Sequence, residues 1–246
     1  MQKGQKTWDN LSRGYFNNFN EDEIELEAVE NLYFAWPVIK KFVKKNIKNS
    51  KNKRALDFGC GTGQVCTELN SLGFIAGGID YSSGMIKVAK KSIDRRVHLY
   101  LGDSKKAVEV AKKEGKFDLI VSILTFPFIE KIEQTIKDLH RSLAESGYLC
   151  FVAFNEDWVR TALKNGVDYE RIPGNRGIKK LMFNFGKNRK VEVFHRSANE
   201  YDKIFAGLGC KKLMEEYPLF TKKFISKVYP QMPENISEYM ILGYKK

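Results

Sequence analysis

From Arg54 onward the chain alternates between short apolar runs and longer amphipathic stretches. Arg54–Phe58, Phe74–Asp80, Val97–Leu101, Phe117–Ile123 and Gly147–Phe154 have the length and apolar content of buried strands. Between them, Gln64–Leu72, Ser83–Ser92, Lys105–Lys113 and Glu130–Leu143 carry apolar residues at helical spacing. A strand–helix alternation of this kind predicts an α/β fold, a doubly wound and mostly parallel sheet with helices on both faces. Ligands of such sheets bind at the carboxyl ends of the strands.

Outside this stretch the rhythm changes. Residues 1–50 read as a polar, aromatic-rich lead and one long helix, with Glu21-Asp22-Glu23 at its start and Lys40, Lys41, Lys44, Lys45 and Lys48 at its end. That is the polarity a helix dipole favours, and Pro37 should kink or divide the helix. Residues 155–195 form an insert: a helix over Asn155–Asn165, a turn-rich Gly166–Arg176, then a hairpin of Ile178–Phe185 and Lys190–Phe194 around Gly186-Lys187-Asn188. A helix at Ala198–Leu208 and strands at Lys211–Tyr217 and Glu238–Tyr244 follow. The expected organisation is a single domain: an N-terminal helical lid (1–50), a core (51–154), a substrate-side insert (155–195) and a C-terminal part of the core sheet (196–246).

The chemistry concentrates in Leu56-Asp57-Phe58-Gly59-Cys60-Gly61-Thr62-Gly63, with Asp80 ending the next strand seventeen residues later. A strand runs into a glycine turn and a helix, and the second strand ends in a carboxylate suited to a ribose hydroxyl pair. A dinucleotide fingerprint requires G-x-G-x-x-G, but the third position holds Gln64 in one frame and Cys66 in the other, and no phosphate loop is present. The turn therefore suits a nucleoside ligand without a pyrophosphate.

In this D-F-G-C-G-T-G form the chain resembles the class I S-adenosylmethionine (SAM)-dependent methyltransferases, in particular the small-molecule group akin to methyltransferase types 11 and 25. The resemblance implies a Rossmann-like, seven-stranded sheet closed by an antiparallel C-terminal hairpin, with SAM as cofactor. It assigns Asp57, Gly59, Gly61 and Gly63 to the methionine end, Asp80 to the ribose, Tyr81 and Met85 to the adenine ring, and Asp103 to the adenine amine. Cys60, Ser104 and Ser122 complete the implied cofactor contacts. Trp8-Asp9-x-x-Ser12-x-x-Tyr15 is similar to a lead whose Tyr covers the cofactor, which makes Tyr15 a lid residue facing methionine and acceptor. His195-Arg196-Ser197 resembles a segment beside the active-site mouth. There His195 would take the acceptor's proton, with Arg196 and Phe126 as further acceptor contacts. His98, mid-strand, and His140, mid-helix, read as packing residues.

The chain departs from the family pattern in two places. Lys105-Lys106-Ala107-Val108-Glu109 replaces the usual acidic Pro-Phe segment, and Leu124-Thr125-Phe126-Pro127-Phe128 stands where many relatives carry paired histidines. The latter also lacks the N-P-P-Y pattern and the Pro-Cys nucleophile of nucleic-acid methyltransferases.

Composition adjusts this picture modestly. The net charge of +12 suggests anionic partners, yet 32 of the 42 basic residues are Lys, which argues against an Arg-rich nucleic-acid surface. Small-molecule methyl transfer is the expected function; RNA methylation through the basic surface and a non-catalytic SAM-binding module are the alternatives. Arg171, Arg176, Lys179, Lys180, Lys187, Arg189 and Lys190 in the insert suggest an anionic acceptor. Four scattered cysteines without a C-x-x-C pair predict buried reduced thiols rather than zinc or a disulfide framework. No apolar run approaches the roughly 18 residues of a membrane span, and Met1–Asn10 lacks a signal-peptide core, so a cytoplasmic protein is expected.

Overall fold

The computed structural model describes residues 5–12, 34–185 and 190–246. Helix α1 (Gln5–Leu11) stands apart in sequence from α2 (Trp36–Asn46). Pro37 lies in the first turn of α2, where the π-helical residues 34–35 give way to regular α-helix and its missing N–H costs no bond within α2. The acidic start expected at 21–23 lies outside the described residues.

The core then alternates as β1 (Arg54–Phe58), α3 (Gln64–Ser71), β2 (Ile75–Asp80), α4 (Ser83–Ser92), β3 (His98–Leu101), α5 (Ser104–Glu114), β4 (Phe117–Ile123), a single 3-10 turn (Phe126–Phe128), α6 (Ile132–Ser142) and β5 (Leu143–Phe154). After it come α7 (Glu156–Asn165), β6 (Tyr169–Arg171), β7 (Lys180–Asn184), β8 (Lys190–Phe194), α8 (Ala198–Ala206), β9 (Lys211–Glu216), α9 (Lys222–Val228) and β10 (Tyr239–Lys245).

Seven strands form one sheet in the order β3-β2-β1-β4-β5-β10-β9. The first five pair in parallel, and β10 is antiparallel to both β5 and β9. The antiparallel closure matches the sequence expectation, although α9 interrupts the connection between its strands. The strand order reverses between β1 and β4, which opens a crevice at their carboxyl ends.

Alternation along the central strands divides the interior. Leu56 and Phe58 of β1, Ile120 of β4 and Phe151 of β5 belong to one apolar cluster, under α5, α6 and α8. Ala55, Leu119, Val121, Cys150 and Val152 belong to the other, with Ile39, Phe42, Cys66 and Trp158 from α2, α3 and α7. Asp57 alternates onto this second face.

The insert folds as a separate three-stranded antiparallel sheet, β6-β7-β8. The two predicted hairpin strands are both there, with their turn at 186–189 outside the described residues. The third strand, only Tyr-Glu-Arg long, was hidden within the turn-rich stretch. His98 is exposed on edge strand β3, not packed in the interior, because the sheet ends there. All four cysteines are free thiols, three of them buried. Among the described residues no helix is long and apolar enough to cross a membrane.

Gly78 on β2 shows how tightly the layer beneath the glycine turn is packed. A Cβ there would lie 2.7 Å from Cys66 Sγ and 2.8 Å from Cys60 Sγ. Gly78→Ala should therefore lower stability by about 1–3 kcal/mol through overpacking, read as a lower Tm. Adding Cys60→Ala and Cys66→Ala should return part of the loss; an unchanged Tm in Gly78→Ala would show that the thiols yield freely.

Candidate functional site

The glycine turn after β1 is shaped by contacts from two neighbouring strands. The N–H groups of Gly59 and Cys60 both donate to Ile79 O, at 2.7 and 3.0 Å. Gly59 has φ +78°, and a Cβ there would sit 2.0 Å from Thr125 Oγ1, so the turn and the segment after β4 touch without room for a side chain. Gly61, at φ +51°, is different: a Cβ would meet nothing within 4 Å. The tip of the turn thus faces open space. Gly63 leads into α3, whose first turn has no side-chain cap.

Asp80 ties this turn to the next one. Its Oδ2 accepts from Gly61 N at 2.9 Å and its Oδ1 from Ser82 N at 2.8 Å. Each oxygen keeps a further lone pair for a ligand hydroxyl. Burial pushes the Asp80 carboxyl up to about 6, against the pull of those backbone donors. Asp57 is only 2% exposed and accepts one weak hydrogen bond, from Cys66 Sγ at 3.6 Å. Burial raises its carboxyl to about 7, with the charge of Asp80 adding to the shift. No cationic side chain among the described residues pairs with either acid. Two buried acceptors beside an open backbone turn fit a ligand that brings positive charge and hydroxyl donors.

The other expected cofactor residues fall around this centre in varied states. Tyr81 and Asp103 are half-buried, at the ends of β2 and β3, and Asp103 Oδ1 caps α5 by accepting from Lys105 N at 2.9 Å. Met85 is buried on α4, and Cys60 is buried within the turn. Two hydroxyls are committed elsewhere: Ser104 Oγ donates to Asp138 Oδ2 and Ser122 Oγ to Phe58 O, both at 2.8 Å. Ser122 therefore clamps β4 to β1, and Ser104 joins α5 to α6.

The acceptor-side expectations need correction. Phe126 is fully buried and stacks on Phe151 at 4.5 Å, so it belongs to the core; the residue two places on, Phe128, faces the other way. The Arg196 guanidinium donates to Ile129 O and Glu130 O at 2.9 and 2.7 Å, bracing the loop before α6 rather than offering charge to an acceptor. His195 is 5% exposed and lines a small cavity with Pro127, Phe154, Tyr169, Arg196 and Tyr201. Burial lowers its pKa and keeps it neutral. Tyr15 lies outside the described residues. In the insert, Lys179 pairs with Glu200, Lys180 with Glu192 and Lys190 with Glu170, while Arg171 donates to Arg176 O. Lys187 and Arg189 lie outside the described residues.

Three residues absent from the expected set are central to the geometry. Asp9 on α1 caps α4 from outside: its Oδ1 accepts from Ser82 Oγ at 2.6 Å, Gly84 N at 2.9 Å and Ser83 Oγ at 3.4 Å. Gln5 Nε2 adds a bond to Tyr81 O at 3.0 Å. Trp8, beside Asp9, meets Phe128 at 5.1 Å and Phe185 at 5.5 Å, both edge-on. Helix α1 thus spans from the end of β2 to the 3-10 turn after β4 and on to the insert. Trp8 and Asp9 stand in the lead motif, but their partners lie more than seventy residues away, so no local signal discloses the contacts.

Comparison with known proteins places these features in a family. The family described as "Methyltransferase domain" matches residues 49–206. A malonyl-[acyl-carrier protein] O-methyltransferase of Priestia megaterium is 38% identical over 104 residues, covering 40% of this chain and 36% of that protein. The enzyme of the same name from Bacillus anthracis is 34% identical over 144 residues, 56% of this chain and 52% of that one. The chain thus spans about half or less of the length of these relatives. Among solved structures, magnesium protoporphyrin IX methyltransferase from Synechocystis, with bound SAH, superposes with a TM-score of 0.62 at 16% identity, over 100% of this chain and 95% of that one.

Removing the Asp9 carboxylate should loosen α1. Hydrogen bonds from Ser82, Gly84 and Ser83 outweigh burial and hold Asp9 below the usual carboxylate range, so its contribution exists above the unfolded value and fades as pH falls through the lowered one. Asp9→Ala is expected to cost about 0.5–2 kcal/mol at neutral pH, the range of a lost helix cap. The difference from wild type should shrink in acid. Chemical denaturation at two pH values checks both; an equal gap at each would assign the loss to something other than the carboxylate.

Proposed function

The chain belongs to the methyltransferase-domain family, and from that premise we propose that it transfers a methyl group from SAM to a small-molecule oxygen acceptor. The observation that carries this reading is the pair of buried, uncompensated acids, Asp57 and Asp80, beside the open tip of the Gly59–Gly63 turn. Asp57 would face the ligand's ammonium group, and Asp80 would accept from the ribose hydroxyls while keeping its two backbone donors. Asp103, Tyr81 and Met85 would border the adenine. The choice of oxygen follows the names of the two curated relatives, both O-methyltransferases.

Bound SAM supplies a methyl carbon on a cationic sulfur, which becomes neutral when the methyl group leaves. The chain's own part is to align the acceptor, exclude water and take up a proton where the acceptor carries one. Lid residues from 1–50, with Trp8 in front, and the insert at 155–195 would build the acceptor side. The pairing of Lys179, Lys180 and Lys190 with glutamates weakens the support for an anionic acceptor and for RNA, and favours a neutral, largely apolar molecule. His195 remains the candidate base for its proton.

Two measurements test the cofactor site. Calorimetric titration with SAM and with its demethylated product should show affinity lowered in Asp80→Ala by about 1.5–3 kcal/mol, the range for bonds to a charged acceptor; unchanged affinity would move the site elsewhere. The second is the pH dependence. Because folding raises the Asp57 carboxyl to about 7, the unliganded protein loses stability as pH rises from the unfolded carboxylate value through about 7. A cation recovers that loss only when the acid is ionised. SAM affinity should thus strengthen as pH rises through about 7, and Asp57→Asn should flatten that rise.

A further inference from the structure

The helices between the parallel strands run back against them, so α3, α4, α5 and α6 all end at the edge of the sheet where the strands begin, opposite the glycine turn. Helix α2 ends there too, since Ser50 just beyond it donates to Leu72 O at the close of α3. Basic residues collect at this pole. Helices α2, α4 and α5 finish in Lys44-Lys45, Lys90-Lys91 and Lys112-Lys113, all exposed. Lys48, Lys51, Arg95 and Lys211 add exposed charge from loops and from the start of edge strand β9. The acids beside them are already taken. Arg96 Nε donates to Asp94 Oδ2 at 2.9 Å, and Arg54, Lys53 and Lys246 pair with Glu114, Asp118 and Glu145 at 3.0, 3.3 and 3.1 Å. Among the described residues none of the exposed bases just named has an ionic partner.

We propose that this pole docks on an anionic lipid surface. Helix dipoles favour a lysine in a last turn, but they do not account for Lys48, Lys51, Arg95 and Lys211, which lie outside the helices. The bases come from both faces of the sheet, with α2 packed in one apolar layer and α5 in the other. They therefore form a broad end, not a groove that would track a nucleic-acid strand. Except for Arg95 they are lysines, compact charges that a lipid phosphate attracts without the paired geometry that arginine supplies. The exposed large apolar residues here are aliphatic: Ile75 opens β2 at 44% exposure, and Leu213 lies near the start of β9. Aliphatic side chains can enter a headgroup layer, whereas a single-stranded nucleic acid calls for aromatic rings on which its bases stack. The exposed aromatic residue nearest in sequence, Tyr217, follows the far end of β9. Docked in this way, the glycine turn and the insert face away from the lipid, so a ligand of the turn can enter from solution. The docking does not depend on the methyl-transfer reading of the site.

Flotation of the full chain with phosphatidylcholine vesicles, with and without phosphatidylglycerol, tests the docking. Wild type should float with the anionic vesicles only. Raising the salt from about 0.1 M to about 1 M shortens the Debye length from about 10 Å to about 3 Å and should release it. Lys45→Glu/Lys91→Glu/Lys113→Glu changes one residue at each helix end and should lower the apparent affinity by about tenfold or more. Lys222→Glu/Lys223→Glu/Lys227→Glu makes the same change of net charge on α9, which joins the far ends of β9 and β10, and should retain most of the binding. Tm values of both variants show whether a loss is of charge or of fold, and the salt series needs no variant at all. Equal losses in the two variants would assign the binding to net charge and overturn the proposal. Flotation of wild type with neutral vesicles as strongly as with anionic ones would overturn it as well. So would wild type that stays off anionic vesicles at low salt, including the case in which it binds fluorescent polyuridylate instead.

Discussion

The Asp80 carboxylate is the constraint on which the site depends. It is buried, yet it accepts from the backbone of two different strand-to-helix turns, Gly61 after β1 and Ser82 after β2. Without it, two adjacent turns would leave inward-facing N–H groups with no partner, and the open tip at Gly61 would lose its fixed direction. The neighbouring residue extends the tie outward: Ser82 caps α4 through Met85 N and binds Asp9 of α1. One carboxylate thereby connects the glycine turn, the second turn and helix α1.

Such an arrangement is costly to the unliganded protein. Asp80 lies close enough to Asp57 to raise its proton affinity, in a layer where burial already disfavours charge. A core selected only for stability would replace Asp57 with an apolar residue, since neighbouring strand positions are filled by Ala55, Leu56 and Phe58. Retaining it makes sense if a bound cation restores the lost energy, because a ligand that binds only the folded state stabilises by mass action. Cofactor affinity and protein stability are then coupled through the same protons.

The proposed acceptor side is built on a different principle. Its residues come from α1, the turn after β4 and the insert, and meet through aromatic rings, Trp8 edge-on to Phe128 and Phe185, rather than ion pairs. Charges of the insert are turned to internal use: Lys179, Lys180 and Lys190 bind glutamates on neighbouring elements, and Arg196 just beyond it holds the loop before α6. Charge counted along a chain therefore says little about charge presented to a ligand, because a fold brings acids and bases together from distant segments.

The local periodicity of apolar residues was enough to give the strands and helices of the core, since each buries one face or is wholly enclosed. The glycine turn, Asp57, Asp80 and Asp103 were legible for a similar reason: strand ends in a parallel sheet converge, so their placement follows from strand order alone. What the sequence did not disclose depends on contacts between distant segments. Phe126 and Phe128 are both aromatic and two residues apart, and only the 3-10 turn decides that the first enters the core while the second faces Trp8. Likewise, nothing near Asp9 marks it as a cap for a helix beginning at Ser83. By itself the sequence determined the sheet, the turn and the acids at the strand ends, because those follow from short-range pattern and strand polarity. The tertiary structure decided how α1, the turn after β4 and the insert meet, because there each side chain takes its place from a partner that folding, not sequence proximity, sets beside it.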